Sequence, residues 1–265
     1  MDTGLSVEAN REEWQNARYD NVTCTDIGKI LGVDTGCSRR MLLKTKLERR
    51  DPLLNANEMT QSLLRMGLIF ETTVKATFKR MWESSLMETE EGFTPSMHSH
   101  THIPWFTGTP DYIIPGKRAL AEFKSHFFPS IDEVTPIGDV TLIPPKHYLQ
   151  VQGYLEIMDY DVGYLLSWTL KNGATLFKIK RDQYLFNQVI KPAITEFHDW
   201  MDRLKELDHF PSTKELSFAV YPKNHRERIL YRVTQSLLLS TLTVIKSYGN
   251  GGAKDTADTE EIPDH

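Results

Sequence analysis

Gly108-Thr109-Pro110-Asp111-Tyr112-Ile113-Ile114, then Pro115-Gly116-Lys117-Arg118, then Ala119-Leu120-Ala121-Glu122-Phe123-Lys124 is the run on which the fold of this chain turns. The outer segments are β-prone and the four residues between them have turn composition, so the run predicts an antiparallel hairpin. Side chains alternate across a strand. Glu122 and Lys124 therefore share one face, and Ala119, Ala121 and Phe123 the other. An acid and an amine on an otherwise apolar strand need a reason. Asp111, on the paired strand across the turn, is expected to approach Glu122. Two carboxylates at close range repel unless a cation lies between them, and hard oxygen ligands suit Mg²⁺ or Mn²⁺. Lys124 beside such a metal would orient or deprotonate a water, and a metal-activated water is one route to phosphodiester hydrolysis. Glu-x-Lys by itself is a commonplace ion pair on a half-exposed sheet; its company gives it weight.

Upstream, a helix is expected from Ser6 to Ala17, carrying Trp14. Thr23-Cys24-Thr25-Asp26 opens a short helix, with Thr23 or Thr25 as its N-cap and Gly32 as its end. A third helix covers Arg39 to Glu48 and stops at Asp51-Pro52. Leu63, Leu64, Leu68, Val74, Phe78, Met81 and Trp82 recur with a helical period, which predicts a long helix from about Asn57 to Ser84. Gly67 inside it costs roughly 1 kcal/mol and implies close approach of another group. Downstream, Gly138 to Pro145 reads as a loop before a helix from Lys146 to Met158. Strands at 162–169 and 175–180 are joined by Asn172-Gly173, a strong hairpin signal. An amphipathic helix from Arg181 to Leu207 contains Pro192, which should kink it. A strand at Leu216 to Val220 and a helix from Arg228 to Ser247 follow. This order predicts an α/β fold with a central mixed sheet flanked by helices.

Over 265 residues, 40% hydrophobic and 25% charged composition is ordinary globular composition, which excludes wholesale disorder, collagen-like and coiled-coil classes. Two cysteines, Cys24 and Cys37, can neither staple a fold of this size nor form a Cys-based metal site, and a reducing compartment is the simpler setting. They read as inert thiols. The polar, acidic N-terminus is not a signal peptide, and the apolar stretch Gln235 to Ile245 is too short to span a bilayer. An intracellular, non-secreted protein without membrane contact is expected. In the tail from Asn250, Lys254 stands against Asp255, Asp258, Glu260, Glu261 and Asp264, so most of the formal net charge of −5 lies there. Arg39, Arg40, Lys44, Lys46, Arg49 and Arg50 face only Glu48 and form a basic stretch that could grip a phosphate backbone or simply be a solvated helix face.

The hairpin resembles the core of the PD-(D/E)XK nuclease superfamily. Gly67-Leu68-Ile69-Phe70-Glu71 resembles that site's helix glutamate. His147-Tyr148-Leu149-Gln150-Val151-Gln152-Gly153-Tyr154 resembles the helix after the hairpin in the YqaJ-like, lambda-exonuclease family, with Gln150 and Tyr154 on one face. Arg18 to Asp26 resembles that family's R-x-x-x-I-T-A-S-D/E segment. The resemblance covers about Arg18 to Phe210. It implies a PD-(D/E)XK restriction-endonuclease-like core, with Asp111, Glu122, Glu71 and the Phe123 main-chain carbonyl as ligands of Mg²⁺ or Mn²⁺, two ions per site. Lys124 would position the attacking water and stabilise charge, and Gln150 would orient the lysine or the scissile region. Arg18, Thr25, Thr109 and Tyr154 would bind the DNA end and its 5′-phosphate, joined by Arg39, Arg40 and Lys146. The activity implied is 5′-to-3′ digestion of one strand of linear duplex DNA, leaving a 3′ overhang for recombination, repair or replication of a viral, phage or mobile-element genome. Duplex DNA ends, a single-strand annealing protein and further copies of the chain (a trimer in some relatives) are the partners implied.

There are departures. Thr25 stands where Ser is usual, which keeps the hydroxyl. Ser130 stands where the lambda type has an arginine six residues after the lysine; His126 or Lys146 could substitute. The expected divisions are a nuclease domain at 1–212, an extension at 213–248 and a disordered acidic tail at 249–265. His98, His100 and His102 alternate, which fits a strand edge or a metal site. Trp105 and Phe106 suit base stacking or core. The rival functions are an endonuclease or RNA-cleaving nuclease of the same fold, a catalytically silent DNA-binding module, and a structural domain with coincidental charges.

Overall fold

The computed structural model describes residues 2–6, 11–34, 36–50, 57–81, 96–114, 116–126, 136–137, 140–141, 143–169, 173–207, 210–211, 228–233, 236 and 243–248. The expectations for 82–84, Ser130, 170–172, 216–220 and the tail from 249 fall outside them.

One sheet contains β1 (Asp2–Ser6), β2 (Val22–Thr23), β3 (Ser96–His100) and β4 (Ile103–Gly108) in the order β1-β3-β4-β2. The chain then bends into a second sheet. Here β5 (Tyr112–Ile113) pairs antiparallel with β6 (Ala119–His126), with Tyr112 opposite Ala121 and Ile113 opposite Leu120. This is the expected hairpin, and Gly116 takes φ +71° in its turn. The ribbon β7 (Pro136–Ile137) and β8 (Val140–Thr141) follows. The second sheet is completed by β9 (Val162–Thr169), β10 (Gly173–Lys180) and β11 (Thr243–Tyr248), in the order β11-β10-β9-β6-β5. β6 and β9 run parallel and the other pairs antiparallel, so the sheet is mixed. A parallel pair needs a crossover. The helix Pro145–Met158 supplies it.

The helices are α1 (Arg11–Asp20), α2 (Ile27–Ile30), α3 (Arg39–Leu47), α4 (Glu58–Met81), α5 (Pro145–Met158), α6 (Gln183–Leu185) and α7 (Lys191–Lys205). α4 covers one face of the second sheet, with Val74 and Phe78 packed among Tyr112, Ala121, Leu166 and Leu176. α5 covers the other, with Leu149, Val151 and Leu155 among Leu120, Leu165, Phe177 and Ile179. Ile229 and Val233 of the helical residues 228–233 belong to this same core. No described helix is long and apolar enough to cross a membrane.

Four expectations change. Residues 2–6 pair with β3 and the helix begins only at Arg11; the partner edge is distant in sequence, and no local pattern announces it. Pro192 follows a π-helical turn at Phe186–Ile190, where the Lys191 N–H reaches back to the Phe186 carbonyl. The widened turn accommodates a residue without an N–H. Residues 243–248 form a strand, because β10 offers them an open edge. Among the described residues, an added Cβ at Gly67 would meet nothing within 4 Å, so none of them presses on it.

Glycine sets the spacing between layers where it matters for the site. A Cβ at Gly153 would lie 2.7 Å from Ile27 Cδ1 and 2.9 Å from Cys24 Sγ; one at Gly108 would lie 2.7 Å from the Tyr154 ring and 2.8 Å from Cys24 Sγ. The Cys24 corner, the end of β4 and α5 thus touch through missing side chains. Gly108→Ala is expected to lower stability by about 1–3 kcal/mol through overpacking, measured as a fall in the denaturant midpoint at unchanged slope.

Candidate active site

Glu122 is 2% exposed and sits mid-strand on β6, facing α5. Its Oε1 accepts from Lys124 Nζ at 2.6 Å and from Gln150 Nε2 at 2.7 Å. The same Gln150 amide donates to Tyr154 Oη at 2.7 Å, so its two N–H groups tie the carboxylate to the next turn of α5. Glu122 Oε2 is buried and has no hydrogen-bond partner among the described residues.

Asp111 lies one residue before β5, and not on the paired strand as expected. Its Oδ2 accepts from the Phe123 N–H at 2.7 Å. β5 is only two residues long, and the Asp111 side chain continues its hydrogen bonding along the edge of β6. A strand residue projects its N–H and C=O toward the same edge. The Phe123 carbonyl therefore faces the side where Asp111 sits. Asp111, Glu122, Phe123, Lys124 and Ser125 line one cleft of about 170 Å³, together with Gly67 and Val74 of α4. That is room for several waters at about 30 Å³ each. Glu71 belongs to α4 between Gly67 and Val74; its side chain lies outside the described residues.

These donors fit a hard cation. An unpartnered buried carboxylate oxygen, a second carboxylate and a main-chain oxygen are the oxygen set that Mg²⁺ or Mn²⁺ takes. Among the described residues no three of His, Cys, Asp and Glu gather as a ready cation site; Asp111 and Glu122 are the carboxylates among the described side chains that line this cleft. Burial pulls the Lys124 ammonium down, but the charges of Glu122 and Asp111 outweigh it and hold it above its ordinary range. The Lys124 ammonium, 2.6 Å from Glu122 Oε1, stands where it can orient a water or neutralise charge. Burial pushes the Tyr154 phenol and the Cys24 thiol well up, so both keep their protons.

A second cluster adjoins the first. Arg18 Nη2 donates to Thr25 Oγ1 at 3.1 Å, and its guanidinium lies 4.6 Å from the centre of the Trp14 ring. Trp14 Nε1 donates to Thr109 Oγ1 at 3.1 Å. Arg18, Thr25 and Thr109 thus come together, and the Arg18 charge is felt at Lys124. Behind them lies a buried ion pair, Lys46 Nζ to Asp26 Oδ2 at 2.8 Å. Asp26 Oδ2 also accepts from the Thr23 N–H at 2.9 Å and the Thr23 hydroxyl at 2.7 Å.

Other predicted residues are placed differently. The Arg40 guanidinium lies over Phe210 and donates to the Pro211 carbonyl, Arg39 begins α3, and Lys146 packs its Cβ against Gly28 at the start of α5. His98 pairs with Ser96, His100 stacks on Phe186, and His102 is exposed in the turn after β3. His126 ends β6 and its side chain lies outside the described residues. Phe106 is core, and Trp105 stacks on His198 at 4.1 Å. Trp14 and the Asp26–Lys46 pair have roles that the sequence reading missed. The signal for Lys46 was present: it continues the helical stripe of Leu42 and Leu43 and so faces inward.

Residues 13–161 match the profile of the YqaJ-like viral recombinase domain. Among solved structures, an alkaline exonuclease from Laribacter hongkongensis (LHK-Exo) is 19% identical, with a TM-score of 0.52 over 73% of this chain and 93% of that one. The same enzyme in complex with dAMP is 18% identical, with a TM-score of 0.53 and the same coverage. A phage-related exonuclease from Haemophilus somnus 129PT is 15% identical, with a TM-score of 0.49 over 70% of this chain and 95% of that one. Among curated protein sequences none matches. The likeness places the chain in the PD-(D/E)XK-like fold of the alkaline exonucleases.

Burial alone would raise the Asp26 carboxyl; the charges of Lys46 and Lys29 and the Lys46 hydrogen bond outweigh it and bring it down to about 2. A carboxyl depressed in the folded state stabilises above its unfolded pKa and loses that contribution as pH falls through the folded one. Roughly 2 kcal/mol should therefore disappear between pH values of about 4 and 2. Acid unfolding followed by circular dichroism is expected to show this slope in the wild type and a shallower one in Asp26→Asn.

Proposed function

The chain belongs to the YqaJ-like viral recombinase domain family, and on that premise we propose that it is a metal-dependent exonuclease that digests linear duplex DNA from its 5′ ends and leaves 3′ overhangs. The observation that carries this reading is Glu122. It is a buried carboxylate with one oxygen saturated by Lys124 and Gln150 and the other unpartnered, in the same cleft as Asp111. Mg²⁺ or Mn²⁺, as one or two ions held by Asp111, Glu122, the Phe123 carbonyl and Glu71, would supply Lewis acidity to the phosphodiester and acidify a water.

The chain's own residues do the rest. Gln150 locks Glu122 by its amide, and Tyr154 fixes the Gln150 rotamer. Lys124 stays charged and orients the attacking water while countering charge on the phosphate. Arg18, Thr25 and Thr109 form a donor cluster for the terminal 5′-phosphate. Such a cluster at the end of the path favours an exonuclease over an endonuclease, because it would block a continuous strand. Release of a 3′ overhang fits a single-strand annealing protein as partner and recombination, repair or replication of viral or phage DNA as context. Further copies of the chain could encircle the substrate.

The test is digestion of linear duplex DNA labelled at each 5′ or 3′ end, with Mg²⁺ or EDTA and a closed circle as control. Stepwise loss from 5′ ends, abolished by EDTA, is expected. Asp111→Asn, Glu122→Gln and Lys124→Ala should each slow it by roughly a hundredfold or more, given several kcal/mol of charge stabilisation at such a centre. Cutting of the circle would establish an endonuclease instead. DNA binding without cleavage under any ion would leave a silent binding module.

Gly67 gives a separate check. It lines the cleft, and no described residue lies within 4 Å of where its Cβ would stand. Gly67→Leu should gain about 1 kcal/mol of helix propensity and raise the melting temperature, while the larger side chain fills the cleft and lowers cleavage. Stability and activity moving in opposite directions is the signature to measure.

A further inference from the structure

Lys46 lies in α3, outside the cleft, and is 6% exposed. Its ammonium has three protons and three acceptors: the Arg18 carbonyl at 2.7 Å, the Asn21 carbonyl at 2.7 Å and Asp26 Oδ2 at 2.8 Å. Burial lowers the Lys46 ammonium below its ordinary range, opposed by the charge and hydrogen bond of Asp26; three acceptors at these distances around one nitrogen are the geometry of an ammonium. Two of the three are main-chain carbonyls at the C-terminal end of α1, groups that a helix leaves without internal partners. The third belongs to the residue that follows Thr25.

One ammonium therefore fastens the backbone of Arg18 and the neighbour of Thr25 at once. These are the two residues whose side chains meet at 3.1 Å in the donor cluster. Asp26 completes the brace by accepting from both the N–H and the hydroxyl of Thr23, and the Thr23 hydroxyl lies 2.8 Å from that of Thr25. Arg18 has no carboxylate in ion-pair reach among the described residues, so its charge is available to an anion.

We infer that Lys46, through Asp26, is a positioning residue for recognition of a terminal 5′-phosphate, setting the spacing of Arg18 and Thr25 without touching the DNA. This rests on the exonuclease reading above and adds to it the part of the fold that makes the end grip rigid. It also separates Lys46 from its neighbours in the basic stretch: its charge serves the interior and not a phosphate backbone.

The test compares the full-length wild type with Lys46→Met and with the double variant Asp26→Asn/Lys46→Met, which leaves no unpaired buried charge and keeps the test alive if the single variant fails to fold. Arg181→Met is the control. It removes ion pairs to Glu156 and Asp159 at the C-terminal end of α5 and perturbs stability elsewhere. Each protein is titrated against one duplex carrying either a 5′-phosphate or a 5′-hydroxyl, in EDTA, by fluorescence anisotropy, and is then assayed for cleavage of both with Mg²⁺. The wild type is expected to favour the phosphorylated end. In the double variant that preference should fall about tenfold, the worth of one charge-assisted hydrogen bond, while Arg181→Met keeps the wild-type ratio. A folded double variant with an undiminished ratio overturns the proposal, and so does a wild type that binds both ends equally. A fall of both affinities in parallel, as in a merely loosened fold, overturns it too. If the wild type binds the phosphorylated end preferentially but cleaves neither duplex, the nuclease reading fails, and the binding ratio of the variants still decides the role of Lys46.

Discussion

A carboxylate on an interior strand costs several kcal/mol to bury unless its charge and lone pairs are met. Among the described residues Glu122 meets that condition on one oxygen, through Lys124 two residues along the same face of β6 and Gln150 from the helix packed above. Much of the architecture serves this arrangement. β6 is paired on both edges and cannot shift register. α5 is buried along almost its whole middle length, held by the second sheet on one side and the Cys24 corner on the other. The remaining oxygen has no partner among the described residues.

Close approach of the layers is the second constraint. Gly108 and Gly153 let the Cys24 corner, β4 and α5 meet at distances no Cβ permits. This contact brings Thr109 and the Arg18–Thr25 pair next to the Glu122 cleft, although the contributing elements come from four separate stretches of chain. The Arg18–Thr25–Thr109 cluster and the Glu122 cleft thus rest on the same packed core.

How much was legible in the sequence depended on the range of the interaction. The β5–β6 hairpin and the face shared by Glu122 and Lys124 followed from alternation and turn residues. The amphipathic stripe of α7 followed from helical period. The cap at Thr23–Asp26 was readable from four consecutive residues. The pairing of β1 with β3 and of β11 with β10 was not, because an edge strand is chosen by an open partner far away in the chain. Gly67 suggested close packing by composition, yet it lines the cleft and no described residue lies within 4 Å of where its Cβ would stand.

Local chemistry in the sequence thus determined which residue types stand where: the polar face of β6, the amide and phenol one turn apart on α5, the arginine and hydroxyls ahead of α2. Tertiary structure alone decided how their valences are spent. It set Asp111 against the Phe123 N–H, left one oxygen of Glu122 without a partner, and turned Lys46 from an apparent surface charge into the brace behind Arg18. The reason is physical. Periodicity records which face a side chain takes, a property of neighbouring dihedrals, whereas the partner of a buried charge is settled only when loop closure and packing bring distant groups within hydrogen-bond reach.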